Sequence, residues 1–285
     1  MARALVGMGN VIRRGTAAVA LGAVLSLVAC GQGSSTSETD QASTTAASQN
    51  ATGESTPGGT AGSAPNGTGG GRTGSIDDCL SPGGDVRRMN FGSGAGALSG
   101  AIIGRGSTAV AFANQSDQDL CSWVPLAEQL AKQGVMSGLF DYSSIGSPQE
   151  LATVVDTLRE QGASRMVVVG ASVGGRAVVT LGSKQGSHLD QIVSLSGERE
   201  DSTGSPPDLL SDAKQVRATP VLYVSSKNDG YTLFAEDTRK LFQATPSRGT
   251  QLLLVSGNEH GVDLLPNPRV RKAVVAAILG TGRSG

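Results

Sequence analysis

The chain has 285 residues and a net charge of −1, with no basic or acidic block, so nucleic acid is not expected as a partner. Aromatic residues make up only 3%, too few for base-stacking surfaces. Glycine is abundant at 41 residues, so a glycine pair around any single residue carries weight only through its context.

In chain order, Arg3, Arg13 and Arg14 give a positive start, followed by an apolar run over residues 16–29 (TAAVALGAVLSLVA). That run is shorter than the ~20 residues a membrane-spanning helix needs, and a basic start plus a short apolar core is the pattern of an export signal. It closes in Leu27-Val-Ala-Cys30 before Gly31, which resembles the bacterial lipoprotein cleavage signal. Small Ala29 suits a peptidase pocket, and the Cys30 thiol suits diacylglyceryl attachment. The resemblance implies a signal peptide over residues 1–29 and lipid attachment at Cys30. The product would be exported and anchored on the outer side of a bacterial cytoplasmic membrane. The Arg13-Arg14 pair permits a twin-arginine route, although the residues after it fit poorly.

Residues 30–75 hold the anchoring cysteine and a Ser/Thr/Gly-rich stretch with almost no large apolar side chain. Such a stretch cannot offset the entropy of ordering, so a disordered tether is expected. Residues 76–285 are long enough for one α/β domain with its own core. Cys79 and Cys121 remain in it; in an exported domain they are expected to pair as a disulfide, the alternative being two small buried thiols.

Within that domain, residues 85–105 hold two glycine-rich segments that read as a hairpin. Residues 107–113 (STAVAFA) form a strand, residues 122–134 an amphipathic helix stopped by Gly134, and residues 135–142 (VMSGLFDY) the next strand. Ser147 and Pro148 open a helix with Glu150 in its first turn and Gly162 at its close. Strands follow at 165–170, 191–196, 220–225 and 250–255, with helices at 173–185, 233–244 and 268–279. Apolar strands spaced by helices predict a mostly parallel sheet covered on both faces, with chemistry at the strands' carboxyl ends.

That rule selects three side chains. Ser172 lies in Gly170-Ala-Ser-Val-Gly174, the only G-x-S-x-G, with a strand before it and a helix after it. This is the setting of a strand-to-helix elbow that exposes a nucleophilic hydroxyl. A serine needs a base. Of the two histidines, His188 precedes a strand and belongs to the opposite end of the sheet, whereas His260 follows the strand at 250–255. Asp229 follows the strand at 220–225 and can orient the imidazole. Of its competitors, Asp263 is expected on the loop leading away from His260. Asp141, at the correct strand end, precedes the serine and would break the Ser-Asp-His order. Two histidines without clustered thiols or carboxylates make a poor zinc site, and neither metal nor other cofactor is expected.

Taken in register, GASVGG, VLYVSSKND and EHGVDLL resemble the α/β-hydrolase family, in a small lid-less form similar to dienelactone hydrolase-like esterases. The resemblance spans residues 104–279. It implies Ser172 as nucleophile, His260 as base and Asp229 as its orienting acid. It also implies an oxyanion hole from the backbone N–H groups of Ser116 and Val173. After the first strand of this region the family often carries His-Gly, where this chain has Asn114-Gln115, a departure that bears on the donor from that loop. The activity implied is carboxylesterase-like cleavage of a small ester or lactone through an acyl-enzyme. The competing expectation is an envelope-anchored binding lipoprotein that keeps the fold with weak or no turnover. Glu198 and Arg199 follow the strand at 191–196; they meet a polar substrate or form a solvated loop.

Overall fold

Strands made of unbroken apolar runs must be covered on both faces, and the helices between them supply the cover. The computed structural model describes residues 78–80, 85–184, 187–200 and 208–281, so the expected export signal, Cys30 and the expected tether lie outside the described residues. The strands are β1 (Val86–Phe91), β2 (Leu98–Ile103), β3 (Thr108–Ala113), β4 (Val135–Phe140), β5 (Arg165–Ala171), β6 (Gln191–Leu195), β7 (Val221–Ser226) and β8 (Gln251–Val255). They form one sheet in the order β1-β2-β4-β3-β5-β6-β7-β8. The β1–β2 hairpin and the β2–β4 pair are antiparallel; every other neighbouring pair is parallel.

Alternation along each strand feeds two cores. Val110, Phe112, Val167 and Val169 pack with Leu126 and Leu130 of α1 (Val124–Ala131) and with Val270, Val274 and Ile278 of α6 (Pro268–Leu279). Their neighbours Ala109, Ala111, Met166 and Val168 turn to the opposite face. There they meet Leu151, Val154 and Leu158 of α2 (Pro148–Glu160) and Val178 of α3 (Val173–Ser183). Leu209 of α4 (Leu209–Gln215) and Leu241 of α5 (Leu233–Ala244) complete that face. Each large side chain removed from water in this way contributes roughly 1.5–3 kcal/mol before entropy is charged against it. The caps follow the sequence: Ser147 Oγ accepts from Glu150 N at 3.2 Å, and Gly280 closes α6 with φ 72°.

The strand order fixes where a site can form. From β3 the chain moves through α1 to β4 on one side; from β4 it crosses over β3 to β5 and thereafter proceeds the other way. Connections therefore leave the adjacent strands β3 and β5 toward opposite faces, opening a crevice at their carboxyl ends. The loop bearing Ser116 and the turn bearing Ser172 emerge there.

Two boundaries differ from the sequence reading. Residues 120–123 form a 3-10 turn, and α1 begins only at Val124 because Pro125 has no N–H to give to a helix interior. Strand β4 stops at Phe140 because the Asp141 carboxylate turns away to accept the Leu120 N–H at 2.9 Å. Cys79 and Cys121 are joined in a disulfide with a Cα–Cα separation of 5.6 Å, tying residues 78–80 to the turn that leads into α1.

Candidate active site

Ser172 links β5 directly to α3 with φ 52° and ψ −117°, a conformation a non-glycine residue holds only when its surroundings enforce it. The enforcement is steric. A Cβ on Gly170 would run into the Gly174 carbonyl oxygen, and a Cβ on Gly174 into the carbonyl oxygens of Ala113 and Asn114. The two glycines therefore let the first turn of α3 close onto the end of β3. Ser172 N donates to Leu195 O at 2.9 Å, fixing the turn against β6.

Parallel pairing of β7 and β8 carries the next two side chains out side by side, and the pairing continues past the strands as Asn228 N donates to Gly257 O at 3.0 Å. Asp229 is completely buried. Its Oδ1 lies 2.8 Å from His260 Nδ1, while Oδ2 accepts from Ser225 Oγ at 3.1 Å and from Ser196 Oγ. Ser196, itself at φ 48°, accepts the Gly261 N–H at 3.1 Å, so one hydroxyl links the carboxylate to the backbone beside the imidazole. Ser226 Oγ holds the Glu259 carbonyl at 2.6 Å, and the Phe234 ring lies 4.5 Å from that of His260. A Cβ on Gly261 would sit 3.3 Å from that of Ala171, so the loop carrying His260 rests on the residue just before Ser172.

The loop after β3 is fastened from within. Buried Asn114 donates to Phe140 O at 2.8 Å and accepts from Trp123 Nε1 at 2.9 Å. Buried Gln115 accepts the Val262 N–H at 3.0 Å and donates to Asp117 Oδ1 at 2.8 Å. The pair standing where the family often has His-Gly is thus a brace between the Ser116 loop and the His260 loop. Ser116 is exposed beyond this brace, and Val173 opens α3, whose first-turn N–H groups have no partner inside the helix.

Glu198 is the finding the sequence left open. It is half-buried, and its Oε1 accepts the Ser172 hydroxyl at 2.9 Å; in this structure the hydroxyl is turned to the carboxylate rather than to the imidazole. Arg199 is committed elsewhere, to Glu200, Asp208 and Asp237. The other acids and the second histidine stay outside the constellation. Asp141 holds Leu120 N, Asp263 is exposed beyond His260, and His188 is exposed where the chain enters β6.

Burial alone would lower the His260 pKa. The hydrogen bond and charge of Asp229, with the charges of Glu198 and Asp117, more than offset it and hold the imidazole above its ordinary value. Burial likewise raises the Asp141 carboxyl, opposed by its bonds to Leu120 and Asn114. A buried carboxylate on one imidazole nitrogen fixes the tautomer in which the other can take a proton.

The sequence matches no protein-family profile and no curated protein. Solved structures do resemble it. An esterase from Pyrococcus furiosus superposes with TM-score 0.61 at 15% identity, over 73% of this chain and 94% of that one. A monoacylglycerol lipase from Paleococcus ferrophilus gives 0.55 at 15% identity over 65% and 99%. A putative dienelactone hydrolase from Klebsiella pneumoniae gives 0.54 at 13% over 68% and 98%.

Proposed function

The chain has the α/β-hydrolase fold, and on it we propose a serine hydrolase that cleaves a small ester or lactone. The observation that carries this reading is the buried Asp229 bonded at 2.8 Å to His260 Nδ1, on a loop resting against the strained turn that presents Ser172. The reading requires the Ser172 hydroxyl to leave Glu198 and turn to the imidazole, a change of one staggered χ1 well.

Ser172 Oγ then forms a bond to the carbonyl carbon while its proton passes to His260 Nε2. The N–H groups of Val173 and Ser116 receive the oxyanion. The carbonyl carbon–alkoxy bond breaks as the alcohol takes the proton from His260. Water then gives a proton to the same nitrogen as its oxygen bonds to the acyl carbon. The acyl carbon–Oγ bond breaks, and Ser172 Oγ takes that proton from His260 as the acid is freed. Ile145, 59% exposed, precedes Gly146, which packs against Val173, and Leu233, 57% exposed, precedes Phe234, which packs on His260; both are candidates for meeting the apolar part of a small substrate. Attachment of lipid at Cys30 would hold the domain at a membrane surface, and partition into detergent that is lost in Cys30→Ala tests that arm.

Hydrolysis of p-nitrophenyl esters of graded acyl length by the full chain tests the reaction. Turnover of short esters, abolished in Ser172→Ala, is the expected result. Absence of turnover with every ester would favour the anchored binding protein, with Glu198 keeping the hydroxyl idle.

A further inference from the structure

We propose that Glu198 determines substrate charge: its carboxylate selects esters that carry an ammonium or similar cationic donor near the scissile carbonyl and disfavours anionic ones. This deepens the hydrolase reading and rests on it.

The argument begins with an unsatisfied group. Glu198 Oε1 has the Ser172 hydroxyl as its partner, and Oε2 is buried with none. Among the described residues no Lys or Arg forms an ion pair with it. The next residue in the chain, Arg199, pairs with Glu200 through Nη2 and lies 3.9 Å from Asp208 and 3.7 Å from Asp237 through Nε, and forms no ion pair with Glu198. Once the Ser172 hydroxyl turns to His260, neither carboxylate oxygen keeps a protein donor among the described residues at the moment substrate excludes water. An unpartnered carboxylate in that position is costly, and a donor on the substrate is the group that relieves it. A cation relieves it most, because a full positive charge pairs with the carboxylate and a second carboxylate stands nearby. Asp117, exposed on the rim and steadied by Gln115, acts on His260 in the same sense as Glu198. An anionic substrate would meet both carboxylates.

The test uses p-nitrophenyl esters of equal acyl length ending in a methyl group, a primary ammonium or a carboxylate, with the full chain. A charged hydrogen bond supports on the order of 10–100-fold, and that is the expected ratio of kcat/KM for the ammonium over the carboxylate ester. Glu198→Gln should bring the ratio close to one, Glu198→Asp should keep the cationic preference, and Glu198→Lys should invert it; melting curves confirm that each variant is folded. A purely structural role for Glu198 would change rates on all three esters alike. A wild-type ratio near one, or a ratio unchanged in Glu198→Gln, overturns the proposal. If fluorophosphonate still labels Ser172 in that case, the hydrolase reading stands while the charge selection falls. If Ser172 is not labelled and no ester is turned over, both fall.

Discussion

Replacing Asp229 by Asn changes one atom and removes one charge, and the surroundings decide which way the new amide faces. Two serine hydroxyls, Ser196 and Ser225, donate to Oδ2, while Oδ1 faces His260 Nδ1 at 2.8 Å. The amide oxygen is expected to face Ser196 Oγ, which already accepts the Gly261 N–H and needs an acceptor for its own proton. The NH2 then points at Nδ1 and makes that nitrogen an acceptor, so the proton moves to Nε2 and the ring can no longer take one from Ser172. A wrong tautomer in this arrangement costs about 10⁴ in kcat, equivalent to about 5.5 kcal/mol of barrier. Since the side chain is fully buried and nearly isosteric, the fold should survive. The assay is kcat on a neutral p-nitrophenyl ester, with a melting curve on the same sample. A folded Asp229→Asn protein that retains more than a tenth of wild-type kcat would refute the assigned role of the carboxylate.

Four further outcomes follow from the same geometry. As the proposed base His260 would work only when neutral, and its pKa is raised, so kcat/KM should fall with decreasing pH through a midpoint above the ordinary ~6.5 of an imidazole. Asp117→Asn, removing one charge that raises it, should move that midpoint to lower pH; a pH–rate profile with no shift contradicts the assignment. Gln115→Ala leaves the buried Val262 N–H without its acceptor, which should cost about 1–3 kcal/mol in denaturant unfolding and lower kcat by loosening the His260 loop. Opening the Cys79–Cys121 bond, which spans a sequence separation of 42, should cost about 4 kcal/mol by loop entropy. That loss should appear as a fall in melting temperature on the order of 10 °C on reduction, or in Cys79→Ser.

Period and punctuation made the strand and helix order readable: glycine stops, a Ser-Pro helix start and apolar runs locate β3 to β8 within a residue or two. The positions of Ser172, Asp229 and His260 were readable because each ends or follows a strand, and parallel strands bring such ends to one edge. What supports them was not. Ser196 and Ser225 look like ordinary polar endings of buried strands; their convergence on Asp229 depends on the register that pairs Leu195 with Val224. A glutamate on a loop is usually solvated, and only the approach of β5 to β6, with Ala171 opposite Leu195, sets Glu198 against the Ser172 hydroxyl. Asn114 and Gln115 read as a loss relative to His-Gly because sequence shows which side chains are present but not that both point inward as braces.

The most direct test of the convergence of Ser172, His260 and Asp229 is the mass of the peptide bearing Ser172 after treatment of the full chain with a fluorophosphonate. The adduct is expected on Ser172 in the wild type and is expected to disappear in His260→Ala, a variant that leaves the serine in place. An unmodified Ser172 in folded wild-type protein, or labelling that persists at the same rate without His260, would contradict the account.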